Sequence, residues 1–265
     1  MADAPSAAER PRSVTNESRA STSGVETDMW IVRTLMLGLL VACVGCGGSD
    51  AEEARPTTST SGATSTTTAT PCGEEDAEAV TLTTRDGTEL NAVLVGDGEV
   101  GVVLGHQLRS DFCSWVPFAK QLAERHMRAL AINFASASPD DDMVAGSREL
   151  RRRGAKRIIL VGASMGGTAA LVAAAKIDVA GVAALSAPRQ FSGLDALPSV
   201  RRLEIRALFL VGRQDASFAR DARRLYRAMK SRNKALVVTT GFEHGTDLLQ
   251  DPEAERALLD FLVGG

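Results

Sequence analysis

The amino-acid sequence predicts an α/β domain in which helices cover a mostly parallel sheet. From about residue 100 onward, short apolar runs typical of buried strands alternate with longer amphipathic segments. Two strand-like segments, 80–84 and 88–95, precede this alternation, and Arg85-Asp86-Gly87 separates them, which predicts a leading antiparallel hairpin. Because parallel strands need long crossover connections, we expect helices on both faces of a twisted sheet.

The later strands are predicted from apolar runs of five to seven residues that are bounded by charged or turn residues. Such continuous runs are typical of strands that are buried on both faces. The runs lie at 100–104, 129–134, 157–161, 179–185, 207–211 and 235–239.

Three of the helices are predicted from apolar residues that recur at helical spacing, and the second and third from charge distribution and composition. They lie near 115–124, at 140–153 and 165–176, and near 218–229 and 254–262. The second helix has acidic residues in its first turn and three arginines at its end, which suits the helix dipole. The third is rich in alanine, the strongest helix former.

Charge and composition exclude several classes of protein. The 30 basic residues are outnumbered by 33 acidic ones, whereas nucleic-acid-binding proteins usually carry a basic excess. The four cysteines, at positions 43, 46, 72 and 113, do not have the spacing of a zinc finger. Three separated histidines and no H-E-x-x-H sequence give no metal site. We therefore expect no nucleic-acid partner and no metal.

The chain divides into four segments: 1–28, 29–46, 47–78 and 79–265. The first is polar, and we expect translation to start at or near Met29. The second places Arg33 before an apolar run of about ten residues, which is the layout of a secretory signal peptide and is too short to span a membrane. In the third, 11 of the 14 residues at 57–70 are Ser or Thr, which predicts a disordered tether. The fourth is the folded domain.

Leu40-Val41-Ala42-Cys43 resembles the lipobox of bacterial lipoproteins. The resemblance implies that Cys43 is diacylated and becomes the N-terminus, which makes the protein an exported lipoprotein anchored in a membrane of a bacterial envelope. Cys46 fits the pattern less well, because Cys43 stands at its −3 position. The alternative is an ordinary buried helix with two incidental cysteines.

The strongest chemical signal is Gly162-Ala163-Ser164-Met165-Gly166, between a predicted strand and a predicted helix. A nucleophilic serine must be exposed at the carboxyl end of its strand, beside helix N-terminal amides that can hold an oxyanion. The turn is so tight that glycines are needed two residues before and after the serine. The alternative is a serine that only caps the helix.

This stretch resembles the nucleophile elbow of the α/β-hydrolase family, and the resemblance covers residues 80–265. The family order of serine, acid and histidine implies that Asp215 and His244, each in a loop after a later strand, complete a catalytic triad with Ser164. Other interpretations remain: Asp215 as a helix cap, His244 as a turn residue, and Asp221 or Glu243 as the acid that orients the imidazole.

The resemblance also implies an oxyanion hole made of two backbone amides. One belongs to Met165, directly after the nucleophile. The other belongs to Gln107, in the loop after strand 100–104. The family often has His-Gly in this loop, whereas this chain has His106-Gln107, and His106 is interpreted as a residue that packs the loop.

The resemblance implies a serine hydrolase that cleaves carboxylic esters or related acyl bonds through an acyl-enzyme and needs no cofactor. Only about 20 residues, 187–205, stand where the family often inserts a cap domain, so we expect no large cap and an open site for small-molecule esters. The same groups also serve peptidases, thioesterases and acyltransferases. The alternative is a catalytically silent lipoprotein of this fold that binds a ligand or an envelope partner.

Two further patterns need an interpretation. Residues 96–101 fit G-x-G-x-x-G, but they precede a strand rather than a helix, so we predict a hairpin turn and no dinucleotide site. In an exported protein, Cys72 and Cys113 could form a disulfide that joins the end of the tether to the first long loop. Two free thiols are the alternative.

Overall fold

An eight-stranded sheet lies at the centre of the structure, a computed structural model that describes residues 72–74 and 76–264. The strands of the described residues are β1 (Glu78–Thr83), β2 (Glu89–Val95), β3 (Val100–Gly105), β4 (Met127–Ile132), β5 (Arg157–Ala163), β6 (Gly181–Leu185), β7 (Gln190–Phe191), β8 (Leu194–Asp195), β9 (Arg206–Gly212) and β10 (Lys234–Thr239). Strands β7 and β8 form a separate small hairpin, and the other eight lie in the order β1-β2-β4-β3-β5-β6-β9-β10.

The sheet is parallel except at its beginning. Strand β2 pairs antiparallel with β1 and with β4, and each pairing from β4 to β10 is parallel. The predicted leading hairpin and mostly parallel sheet are therefore confirmed. The carboxyl ends of the parallel strands meet at one edge, and loops that follow different strands come together there.

The prediction of a hairpin turn at 96–101 was wrong. This segment connects β2 to β3, but β4 lies between those two strands in the sheet. The chain passes close to the start of β4, since a Cβ on Gly98 would come within 1.8 Å of the His126 carbonyl oxygen. The glycines thus serve a close crossing of two backbones rather than a turn between paired strands.

Helices cover both faces of the sheet. They are α1 (Val116–Ala123), α2 (Pro139–Arg152), α3 (Met165–Ala174), α4 (Ala196–Val200), α5 (Ala216–Ala228) and α6 (Pro252–Val263), with short 3₁₀ helices at Phe112–Trp115 and Gly245–Gln250. Helices α2 to α5 contribute to one apolar core and α1 and α6 to a second core on the opposite face. The central strands, such as β5, are buried on both faces, which explains their continuous apolar sequences.

The segment between β6 and β9 is short. It holds the β7–β8 hairpin and α4, a helix of five residues. No cap domain stands there, as the sequence predicted, and the carboxyl edge of the sheet is left without a large insertion above it.

A disulfide joins Cys72 to Cys113, which confirms the proposed pairing. Its partners lie 41 residues apart, just before β1 and in the 3₁₀ helix that precedes α1. Ala77 is already buried, and Glu74 forms an ion pair with Lys120. Contacts with the domain therefore begin before residue 79, where the sequence places the domain boundary.

The signal segment, Cys43 and the Ser/Thr-rich run at 57–70 lie outside the described residues. Within the described ranges, no helix has both the length and the apolar character needed to cross a membrane.

Loss of the disulfide should destabilise the domain, because the cross-link removes conformational entropy from the unfolded chain. We expect Cys72→Ser with Cys113→Ser to lower the free energy of unfolding by about 2–4 kcal/mol and the melting temperature by roughly 5–15 °C. Thermal unfolding followed by circular dichroism measures the change. A reductant should lower the melting temperature of the original chain and leave that of the double variant unchanged. Equal melting temperatures for both proteins would contradict the prediction.

Candidate active site

Ser164 occupies the turn between β5 and α3. Its backbone angles, φ 48° and ψ −112°, lie in a region that residues with a side chain rarely adopt. Such strain persists only where the surrounding structure holds the backbone in place, and it is concentrated at functional sites. The residue is 8% exposed, at the carboxyl end of a strand that lies in the middle of the sheet.

Glycines on both sides of Ser164 allow this turn. A Cβ on Gly162 would lie 2.1 Å from the Gly166 carbonyl oxygen, because helix α3 folds back directly over the end of its strand. A Cβ on Gly166 would lie 2.3 Å from the Gly105 carbonyl oxygen at the end of β3. The second contact also shows that the loop after β3 lies directly against the start of α3.

Asp215 lies between β9 and α5, so it follows the carboxyl end of a parallel strand, as Ser164 does. Its amide donates to the Gly212 carbonyl in a tight turn. The side chain makes no capping hydrogen bond to α5; its Oδ2 lies 2.7 Å from Nδ1 of His244 instead. The carboxylate is 12% exposed, so its interaction with the imidazole is only weakly screened by water.

His244 follows β10 and immediately precedes the 3₁₀ helix Gly245–Gln250. Its Nδ1–H donates to Asp215, which leaves Nε2 as the basic nitrogen of the neutral ring. The Phe218 ring packs on the imidazole with their centroids 4.3 Å apart. The His244 side chain is 33% exposed, which keeps the ring accessible from solvent.

The other candidate acids have different contacts. Asp221 Oδ2 accepts from the Arg189 amide at 2.9 Å. The Glu243 carboxylate lies over Gly241, and its Oε2 is buried with no hydrogen-bond partner among the described residues. Of the three candidate acids, Asp215 is the one that hydrogen bonds to the His244 imidazole.

Ser164 and His244 lie at the same edge of the sheet but are not hydrogen bonded to each other in the described part of the chain. The 3₁₀ helix that begins directly after His244 contacts both β5, which leads to Ser164, and its neighbour β6. Catalytic hydrogen bonds are often long before substrate binds and tighten in the substrate complex.

Two backbone amides stand near the serine. The Met165 amide belongs to the first residue of α3, where the helix dipole favours negative charge. The Gln107 amide belongs to the loop after β3, which packs against Gly166. Among the described residues, neither amide donates to an acceptor in a loop or side chain.

His106 packs inside the loop after β3, as the sequence suggested. Its Nε2 accepts from the Phe134 amide at 3.3 Å, so Nδ1 carries the proton and donates to the Gln107 carbonyl at 2.7 Å. Burial lowers the pKa of His106, which favours this neutral form. The imidazole thereby joins the loop after β3 to the loop after β4.

Two contacts of the site were not predicted from the sequence. They are the Phe218 ring on His244 and the hydrogen bonds between the Gln107 side chain and Thr246. The sequence predicts a helix near 218–229 and gives Gln107 a role only through its backbone amide. Within the described ranges, no cluster of three or more His, Cys, Asp or Glu side chains could hold a metal ion.

No protein-family model matches the chain, and no curated protein matches it in sequence. Solved structures do match. An esterase of Pyrococcus furiosus has a TM-score of 0.63 at 19% identity, covering 71% of this chain and 90% of its own. An esterase of Exiguobacterium antarcticum has a TM-score of 0.58 at 13% identity, and the match covers 70% of this chain and 99% of the esterase. The dienelactone hydrolase of Anabaena variabilis has a TM-score of 0.56 at 19% identity, and the match covers 70% of this chain and 94% of the hydrolase.

These similarities concern the fold, since the sequence identities are low. They agree with the sheet order, the single antiparallel strand next to the leading edge, and the tight turn between β5 and α3. The described part of this chain has the α/β-hydrolase fold.

Proposed function

We propose that the protein is a serine hydrolase that cleaves carboxylic esters. The observation that carries the proposal is the contact between Asp215 and His244, at the edge of the sheet where Ser164 occupies its strained turn. The solved structures of this fold that are named esterases support an ester as the substrate. A catalytically silent protein of the same fold would not need this contact.

Ser164 is the proposed nucleophile. Its Oγ attacks the acyl carbon, and Nε2 of His244 takes the hydroxyl proton as the new carbon–oxygen bond forms. Asp215 accepts from Nδ1, which keeps the imidazole in the reactive tautomer and stabilises its charged form. His244 then gives the proton to the leaving alcohol, and the ester bond breaks.

The amides of Met165 and Gln107 are the proposed oxyanion hole. The negative charge that develops on the carbonyl oxygen would be held by two N–H groups that the described chain leaves available. A water molecule then attacks the acyl-enzyme with His244 as the base. This step releases the acid and restores the Ser164 hydroxyl.

The surroundings of the site suit a small ester with an apolar group. No large insertion stands between β6 and β9, so substrate can approach from solvent. Leu108 and Phe242, 57% and 73% exposed, lie in the loops that carry Gln107 and His244. Exposed apolar side chains on both loops favour an acyl or alcohol group that is itself apolar.

We also propose that the protein is exported and anchored by lipid at Cys43. The proposal rests on the Leu40-Val41-Ala42-Cys43 sequence and the Ser/Thr-rich segment that follows it. The disulfide between Cys72 and Cys113 supports it, because such bonds persist mainly outside the reducing cytoplasm.

Removal of Ser164 should abolish hydrolysis. We expect Ser164→Ala to lower kcat on a short-chain aryl ester by about 10⁶-fold, the loss typical when a serine nucleophile is removed. A fluorophosphonate probe should label the original chain on Ser164, as read by peptide mass spectrometry. Ser186→Ala is a matched control, because Ser186 also follows a strand, has φ 47° and is buried. Full turnover in Ser164→Ala would refute the assignment.

Asp215→Asn should lower kcat by about 10³–10⁴-fold with a small change in KM, because the imidazole loses the group that fixes its tautomer. Asp221→Asn is the control for the loss of an acid in the same region, and its kcat should stay within about twofold. Steady-state kinetics on the same ester measures both. Equal losses in the two variants would contradict the role of Asp215.

Lipid attachment can be tested in a bacterial host that is fed an alkyne-tagged fatty acid. We expect the full chain to take up the tag, Cys43→Ala to lose it and Cys46→Ala to keep it. The tag is read on gels after coupling to a fluorophore. Uptake that depends on Cys46 rather than Cys43 would show that the second cysteine is the modified one.

A further inference from the structure

The Gln107 side chain makes two hydrogen bonds to Thr246, which lies 139 residues further along the chain. Its Nε2 donates to the Thr246 hydroxyl at 2.9 Å, and its Oε1 accepts from the Thr246 amide at 3.3 Å. Both ends of the carboxamide are thus used by one residue. Thr246 is two positions after His244, so the contact joins the loop after β3 to the loop that carries the imidazole.

Gly245 shows how closely the two loops pack. It has φ +62°, and a Cβ there would lie 2.9 Å from the Gln107 Oε1 and 3.0 Å from its carboxamide carbon. The Gln107 side chain therefore lies against the backbone of Gly245, which is buried. A larger residue at 245 would displace the carboxamide and strain its own backbone.

The backbone carbonyl of Gln107 is also held by hydrogen bonds, within its own loop. Its carbonyl accepts from the His106 Nδ1–H at 2.7 Å and from the Ser110 amide at 3.2 Å. Arg109, with φ 63°, lies inside this turn. Because the carbonyl and the carboxamide both have partners, the orientation of Gln107 is fixed relative to both loops.

We propose that the Gln107 side chain is a positioning residue that sets the distance between the oxyanion amide and the catalytic histidine. The inference rests on the proposed function. The Gln107 amide would hold the oxyanion, while His244 moves the proton on the same tetrahedral intermediate. A glycine at this position, as the resembled family often has, offers no side chain for such a contact.

The proposal predicts an effect on catalysis rather than on substrate binding. A change in the spacing of the two loops misaligns the Gln107 amide and the His244 imidazole. Because these groups act together only in the transition state, kcat falls while KM changes little. A displacement of about 1 Å can cost up to about 100-fold in rate. Since the carboxamide is neutral, the contact itself does not depend on pH.

The test compares Gln107→Ala, Thr246→Val and the double variant in the full chain, with a short-chain aryl ester as substrate. We expect each single variant to lower kcat by about tenfold or more, with KM within about twofold. The double variant should lose little more than either single variant, because the two residues act through one contact. Thr246→Ser keeps both hydrogen-bonding groups and should retain the kcat of the original chain.

Gln121→Ala is the matched control. Gln121 Nε2 donates to Glu255 Oε1 at 2.8 Å and thus also joins distant segments, α1 and α6, through a side-chain amide. Its kcat should stay within about twofold of the original chain. Melting temperatures of all variants separate a general loss of stability from a loss of positioning.

The outcomes separate this inference from the proposed function. An active original chain whose kcat survives in both Gln107→Ala and Thr246→Val overturns the inference alone, as does a loss of kcat that Gln121→Ala shares. An original chain without turnover, or with turnover that survives in Ser164→Ala, overturns the proposed function and this inference with it. A fall in kcat in Gln107→Ala and Thr246→Val, with the kcat of the original chain retained in Thr246→Ser, supports the inference.

Discussion

The turn between β5 and α3 is the constraint on which the rest of the site depends. The helix folds back so closely over its own strand that position 162 has no room for a side chain. Ser164 is left with a strained backbone at the end of a central strand that is buried except at its first residue. The strain persists because the apolar strand and helix on either side cannot move without loss of core packing.

The other site residues reach this turn through the geometry of a parallel sheet. Strand β3 lies on one side of β5, and β6 and β9 lie on the other. Gln107 and Asp215 each follow one of these neighbours within a few residues, and His244 follows the edge strand β10. Four loops from distant parts of the sequence therefore meet where the parallel strands have their carboxyl ends.

The sequence predicted most of this arrangement, because buried strands and the tight serine turn have strong local patterns. The predicted strand at 157–161 became β5 (Arg157–Ala163), and the predicted helix at 165–176 became α3 (Met165–Ala174). The neighbours of a strand depend on distant segments instead, which is why 96–101 was mistaken for a hairpin turn. The contact between Gln107 and Thr246 joins two loops and leaves no periodic pattern in either.

An open site places particular demands on the loop after β3, since no cap domain covers it. Contacts with other segments hold this loop and the 3₁₀ helix that follows it. His106 hydrogen bonds to the loop after β4, Gln107 hydrogen bonds to Thr246, and Cys113 is cross-linked to Cys72. The Phe112 amide also donates to the Asn133 side chain at 3.0 Å. Donors that are held in place before the reaction stabilise a developing charge without reorganisation. In the proposed mechanism, the rigidity that the Gln107 amide needs comes from side chains in this loop and in the 3₁₀ helix that follows it.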